Sequence, residues 1–117
     1  MYKISKQFSF SASHVLDHLP DDHPCSRIHG HNYLVTIHLK SEILDRYGFV
    51  KDYKSLKFVK RLIDETLDHQ HLNDRMSVPP TSENIARFLY DLLKPEISEL
   101  YAVEVSETPQ TSCIYEP

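Results

Sequence analysis

The chain has 117 residues, a formal net charge of −4, two cysteines and eight histidines. That length supports one core, so a single domain spanning residues 1–117 is expected. No stretch of about 18 apolar residues and no basic-then-apolar leader follows Met1, so neither a membrane span nor a secreted product is expected, and a cytoplasmic setting is. The negative charge and the lack of a long Lys/Arg run argue against a nucleic-acid partner, which would require neutralising phosphates. Cys25 and Cys113 are too few for a disulfide-stapled domain and are read as reduced thiols.

From Tyr2 to His14 apolar and polar residues alternate, with Tyr2, Ile4, Phe8, Phe10 and Ala12 on one parity and Lys6 the one misfit, which predicts a half-buried strand. His14 falls on the apolar parity. Val15 to Ile28 carries Pro20, Asp21, Asp22 and Pro24 without any period and reads as a loop ending near Cys25. A second strand is expected from His29 or His31 to about Lys40, with Tyr33, Val35, Ile37 and Leu39 on the parity of the two histidines. A turn is expected around Tyr47-Gly48. Asp52 is then placed as the N-cap of a helix running to about Leu67, striped by Leu56, Val59, Leu62, Ile63 and Leu67.

Pro79-Pro80 breaks the chain, and Thr81 or Ser82 is expected to cap a second helix striped by Ile85, Phe88, Leu89, Leu92 and Leu93, closed or kinked at Pro95. Tyr101, Val103 and Val105 alternate with polar residues as a third strand, which places Glu107 on the apolar parity at its end. Ser112 to Glu116 is a short last strand containing Cys113. The order ββααββ predicts an α+β domain: an antiparallel four-stranded sheet with two helices on one face. The other face and two edges are left without a cover, which points to self-association.

The chemistry concentrates in Cys25-Ser-Arg-Ile-His29-Gly-His31. In a strand, residues i and i+2 share a face, so His29 and His31 look the same way, roughly 7 Å apart at the backbone. Gly30 between them lets the backbone bend or a ligand approach. If the first two strands pair antiparallel, His14 meets both histidines at the loop end of the sheet. Three core histidines at one spot would each need a separate partner, so a shared metal explains them better. An inward Glu107 also needs a cation or a ligand's N–H groups. The neighbours Asp68 and His69 could be an oriented imidazole, yet on residues alone an Asp capping a turn beside an unrelated His explains them better.

Five stretches together, Phe10-Ser-Ala-Ser-His14, Cys25-x-x-x-His29-Gly-His31-Asn-Tyr33, Leu67-Asp68-His69-x-x-Leu72-Asn73, Pro80-Thr81-Ser82-Glu83-Asn84 and Val105-Ser-Glu107-Thr108, resemble the successive motifs of the 6-pyruvoyltetrahydropterin synthase / 6-carboxytetrahydropterin synthase family. The resemblance covers nearly the whole chain. It implies the tunnelling (T) fold, in which sheets from several subunits join into a barrel, and a homohexamer built as a dimer of trimers. It further implies a zinc ion on His14, His29 and His31, a catalytic thiol at Cys25 and a proton-transfer pair at Asp68 and His69 contributed to a neighbouring subunit's site. Glu107 would hold the pterin ring, with Thr81 and Ser82 near it. This reverses the turn reading of Asp68-His69.

The implied substrate is 7,8-dihydroneopterin triphosphate, whose phosphates would meet Arg27, Lys51 or a residue of another subunit. The three-residue spacer between Cys25 and His29 resembles the bacterial carboxy-forming branch of the queuosine pathway, which releases acetaldehyde and triphosphate; the pyruvoyl-forming branch is the alternative. Ser106 stands where some carboxy-forming relatives have Lys, and His71 adds an imidazole beside the proposed pair. A structural metal in a protein that only binds pterins stays open as a non-catalytic reading. Cys25 separates the two, because a structural site has no use for a thiol outside the coordination sphere.

Overall fold

A computed structural model describes residues 1–117. Strand β1 (Tyr2–His14) and strand β2 (His29–Ser41) form one long antiparallel hairpin in unbroken register, from Tyr2 opposite Ser41 to His14 opposite His29. Helix α1 (Lys57–Thr66) and helix α2 (Ser82–Leu93) follow, then β3 (Leu100–Thr108) and β4 (Thr111–Tyr115). The four strands lie in the order β1-β2-β3-β4, all antiparallel. The expected ββααββ sheet with its two helices is what the chain forms.

The core lies between the helices and one sheet face, where Phe8 and Phe10 of β1 and Tyr33, Val35 and Ile37 of β2 meet Val59 and Ile63 of α1 and Ile85, Leu89 and Leu93 of α2. Lys6 shares this parity without burying its charge: its ammonium lies 5.6 Å from the Phe8 ring and donates to the Tyr53 carbonyl at 3.1 Å, so the stem covers apolar surface while the head stays wet. Thr81 caps α2 as expected, its hydroxyl accepting from Asn84 N–H, and the helix stops just before Pro95. Both cysteines are free.

Two expectations need correction. Asp52 does not cap α1: its carboxylate accepts from Lys54 N–H and caps a 3-10 turn, Tyr53–Leu56, and the α-helix starts only at Lys57. The turn seats Leu56 in the core before the helix begins. Tyr101 does not share the face of Val103 and Val105. The register shifts between His38 and Leu39, opposite Ala102 and Leu100, so Tyr101 is the extra residue of a bulge. Leu100 takes the core position, and the Tyr101 ring turns to the other face beneath the ammonium groups of Lys3 and Lys40, at 5.3 and 4.9 Å.

That other face is mostly polar, with Leu34 and Ile114 its exposed apolar side chains. A groove across it is lined by Ser5, Gln7, Thr36, Glu104 and Ser106, with His38 Nε2 3.1 Å from Glu104 Oε1. Such a surface tolerates water, so it is the sheet edges that call for partners. The β1 edge is half covered by the chain itself. Residues 68–73 run beside its C-terminal half, where His69 N–H donates to Ser11 O, Ser13 N–H to Gln70 O, and the Asn73 amide exchanges two bonds with Val15.

Candidate functional site

Hairpin register builds the site. His14 ends β1 and His29 begins β2 as a cross-strand pair, while Ala12 opposite His31 brings the third imidazole to the same face. Their rings pack edge to face with centroids 4.5 to 5.2 Å apart. One nitrogen from each lies within 4.8 Å of the others, and Cys25 is not part of this group.

The outer nitrogens fix what the inner ones can do. His14, fully buried, places Nδ1 2.8 Å from the Pro80 carbonyl, and His29 places Nδ1 2.7 Å from the Arg27 carbonyl. A carbonyl can only accept, so both Nδ1 atoms carry the hydrogen and both Nε2 atoms present a lone pair. Those two Nε2 atoms face each other at 2.9 Å. Two lone pairs at that distance repel unless a cation sits between them. Tetrahedral coordination with bonds near 2.0–2.1 Å separates ligand nitrogens by roughly 3.3 Å, a value bracketed by the closest pair at 2.9 Å and the limit of 4.8 Å. The donor set therefore fits a divalent metal, with backbone carbonyls as the partners that orient two of its ligands. Burial is the largest influence on His14 and lowers its pKa; the Pro80 bond opposes it, and His29, His31 and His71 add to it. The imidazole is kept in the neutral, ligating form.

Glu107 is on the spot as well. Its carboxylate stands 3.8 Å from His31 Nε2, and burial raises its pKa against the opposing pull of His31. Tyr33 packs under the cluster, its hydroxyl 3.3 Å from His14 Nδ1, and burial pushes its pKa up. Nothing in the alternation marked Tyr33 as more than core.

Cys25 lies in the 3-10 turn Pro24–Ser26, half-buried, and its carbonyl accepts from Leu16 N–H at 2.9 Å, which ties the turn to the chain just beyond β1. Asp68 and His69 form a true pair: Asp68 Oδ2 is 2.8 Å from His69 Nδ1, while Oδ1 accepts from Ser11 N–H at 2.9 Å. That backbone bond, then the His69 bond, holds the Asp68 carboxyl below the usual range. His69 has φ 58° and is 81% exposed. A groove of about 470 Å³ beside the cluster is lined by Ser13, Gly30, His31, His69 and His71. His71 Nδ1 meets the Ser13 hydroxyl at 2.9 Å. Gly30 does not bend the strand, since β2 runs straight through it, and it leaves the groove open.

Other residues stand apart from the centre. Thr81 uses its hydroxyl as the α2 cap and Ser82 donates to Glu83 Oε1, yet they directly follow the Pro80 carbonyl that orients His14. Lys51 pairs with Glu99 at 3.4 Å and lies with Tyr2 and Lys3, at the opposite end of the hairpin from His14. Within one chain it cannot serve a ligand at the histidines. Arg27 is exposed beside His29, and Ser106 spends its hydroxyl on the Thr108 and Thr111 carbonyls at the β3–β4 turn. The carbonyls of Pro80 and Arg27 are the parts of the site that carried no signal, since any residue offers one.

A four-stranded antiparallel sheet backed by two helices, with three inward imidazoles at its end, defines a class: a T-fold protein with a candidate metal centre. The family model described as 6-pyruvoyl tetrahydropterin synthase matches residues 3–117, and the chain belongs to that family. It is 35% identical over 122 residues to the 6-carboxy-5,6,7,8-tetrahydropterin synthase of Synechocystis, covering 98% of this chain and 93% of the relative. It is 33% identical over 132 residues to the human 6-pyruvoyl tetrahydrobiopterin synthase, covering 97% and 90%. Its fold superposes on the 6-pyruvoyl tetrahydropterin synthase of Caenorhabditis elegans with a TM-score of 0.87 at 31% identity, over 99% of this chain and 95% of that one.

Proposed function

We propose that the protein is a zinc-dependent 6-carboxy-5,6,7,8-tetrahydropterin synthase, converting 7,8-dihydroneopterin triphosphate and water to 6-carboxytetrahydropterin, acetaldehyde and triphosphate in queuosine precursor biosynthesis, a cytoplasmic process. The observation that carries the reading is the pair of Nε2 lone pairs turned on each other by two backbone carbonyls beside a third imidazole. The carboxy-forming branch is supported by the three-residue spacer between Cys25 and His29 and by the name of the Synechocystis relative. The human relative, at a similar identity, favours the alternative, elimination of triphosphate to a 6-pyruvoyl product.

In this reading His14, His29 and His31 hold a zinc ion that, when bound, acts as a Lewis acid toward the substrate's side-chain hydroxyls. Cys25 takes a proton from the side chain as the base, from outside the ligand set. Asp68 keeps the His69 imidazole oriented through Nδ1, which leaves Nε2 to pass protons on the other side of the substrate. Glu107, half-buried and short of partners, accepts N–H bonds from the aminopyrimidine edge of the pterin, with Thr81 and Ser82 beside the ring.

Residues 1–117 act as one unit in a homo-oligomer, a hexamer of two trimers, whose subunits join through sheet edges. The part of the β1 edge that the chain leaves open, the seven residues Tyr2–Phe8, is long enough to take the five residues of β4 at the opposite edge, so copies can close head to tail. The polar open face then lines the barrel. Incubating the zinc-loaded protein with 7,8-dihydroneopterin triphosphate tests the reading by mass spectrometry with an acetaldehyde trap. Acetaldehyde with a 6-carboxypterin supports it. A 6-pyruvoyl product without acetaldehyde establishes the alternative, and no turnover with zinc bound leaves a pterin-binding module.

A further inference from the structure

The turn that presents Cys25 is closed by an unusual group. His23 is its N-cap, and the imidazole Nδ1 accepts the Cys25 backbone N–H at 3.1 Å. Asn, Asp, Ser and Thr are the ordinary residues for this task, because a short side-chain oxygen reaches the first free N–H groups of a turn. Here a ring nitrogen does it, which requires the neutral tautomer with its hydrogen on Nε2.

The rest of the turn converges on the same residue. His23 O accepts from both the backbone N–H and the hydroxyl of Ser26, and His23 N–H donates to Pro20 O. Downstream, Arg27 N–H donates to Pro24 O, and the Arg27 carbonyl orients His29. Upstream, the Cys25 carbonyl holds Leu16 N–H. An unbroken run of hydrogen bonds thus joins His23 to the thiol's own backbone, and that backbone to the neighbourhoods of His14 and His29. His23 itself is exposed and outside the group of metal-type ligands.

We propose that His23 is a positioning residue: its Nδ1, acting as a hydrogen-bond acceptor, holds closed the Pro24–Ser26 turn that carries the Cys25 thiol four positions before His29. The proposal rests on the reading of Cys25 as the working thiol. What matters is the acceptor and not the imidazole as such, so an asparagine oxygen at the same place restores the turn and an alanine methyl does not.

The test uses the zinc-loaded full chain in a Cys113→Ser background, where Cys25 is the one remaining thiol, and compares the parent with His23→Ala and His23→Asn. Iodoacetamide alkylation of Cys25 is followed by mass spectrometry alongside zinc content, kcat and KM. Loss of a side-chain cap shifts the closed turn about fivefold toward opening. With the turn mostly closed in the parent, His23→Ala is expected to alkylate up to about fivefold faster while kcat falls by less than about twofold, with KM and zinc content unchanged, and His23→Asn is expected to keep the parent's alkylation rate within about twofold. Equal alkylation in all three proteins overturns the proposal, because the other bonds then suffice to hold the turn. His23→Asn behaving like His23→Ala also overturns it, because the imidazole then acts by something other than accepting. Should the parent show no turnover, the enzyme reading falls, and the alkylation rates still decide whether His23 holds the turn.

Discussion

Replacing His69 by glycine separates a structural residue from a working one. At φ 58° a β-carbon is held in the left-handed region, which costs about 1–2 kcal/mol for a residue other than glycine. Glycine removes that strain and adds about 0.4–1 kcal/mol of unfolded-chain entropy. The bond to Asp68 is also lost, but with the imidazole 81% exposed it contributes little. The balance leaves His69→Gly within about 1 kcal/mol of the parent, whereas His69→Ala keeps the strain and is less stable than the glycine variant by about 1 kcal/mol. For 117 residues, at about 2.1 cal/mol/K per residue, that difference is about 4 °C in melting temperature. Turnover should fall in both by a factor of about 10² to 10⁴, the usual worth of a general acid or base. Scanning calorimetry and product assays on the three proteins decide the matter. If His69→Gly melts no higher than His69→Ala, the strain argument is wrong. A glycine variant with parental kcat removes His69 from the mechanism.

Metal loading should stabilise the fold: with free zinc at 100 times its dissociation constant the gain is about 2.7 kcal/mol, or about 11 °C for 117 residues. Melting at fixed protein concentration with zinc and with a chelator reads it, and equal melting temperatures would contradict a metal centre. Cys25→Ala should retain about one zinc per chain and lose turnover, whereas His31→Ala should lose both. Full activity in the cysteine variant would eliminate the proposed base. In the metal-free protein, burial lowers the pKa of His14 from its ordinary 6.5, so the unfolded chain binds a proton that the folded chain refuses. The stability from that group is complete above about pH 6.5 and is lost as pH falls through the lower folded value. Urea midpoints at pH 7.5 and 5.5 should drop in that order, and the drop should shrink in His14→Gln; a drop of the same size there would show that another group sets it.

Strand parity made much of this molecule readable. Placing His14, His29 and His31 on apolar parities and pairing the two strands through their loop is enough to bring the imidazoles together, since period-two alternation determines which face each side chain occupies. Parity failed at Tyr101 because a bulge adds a residue without leaving a mark in the alternation. Asp68-His69 lay outside the reach of parity. There the residues were legible as a turn, and they do bind backbone, but that backbone belongs to Ser11, far away in sequence. On the face opposite the helices most side chains are polar, so burial there makes no demand for a cover, and it is at the open strand edges that pairing would fall.

The same geometry explains which spacing in the site carries information. The hairpin register rests on thirteen consecutive residue pairs, and the alternating core residues lock it, so His14 and His29 meet whatever the length of the loop between them. The loop at residues 17–19, past the Leu16 N–H that the Cys25 carbonyl holds, could lengthen without moving the three imidazoles. Cys25 has no such freedom. It sits four positions before His29, in a turn whose C-terminal residue, Arg27, supplies the carbonyl that orients that same imidazole, so one added residue there would shift the thiol and the ligand's hydrogen bond together. The distance from thiol to first strand histidine is therefore under geometric constraint, and the distance from first histidine to thiol is not. A change in the constrained spacing must alter where the Cys25 thiol, the proposed base, stands relative to the metal-type cluster. It is there, and not in the histidines themselves, that a difference in which bond of the substrate breaks should be sought.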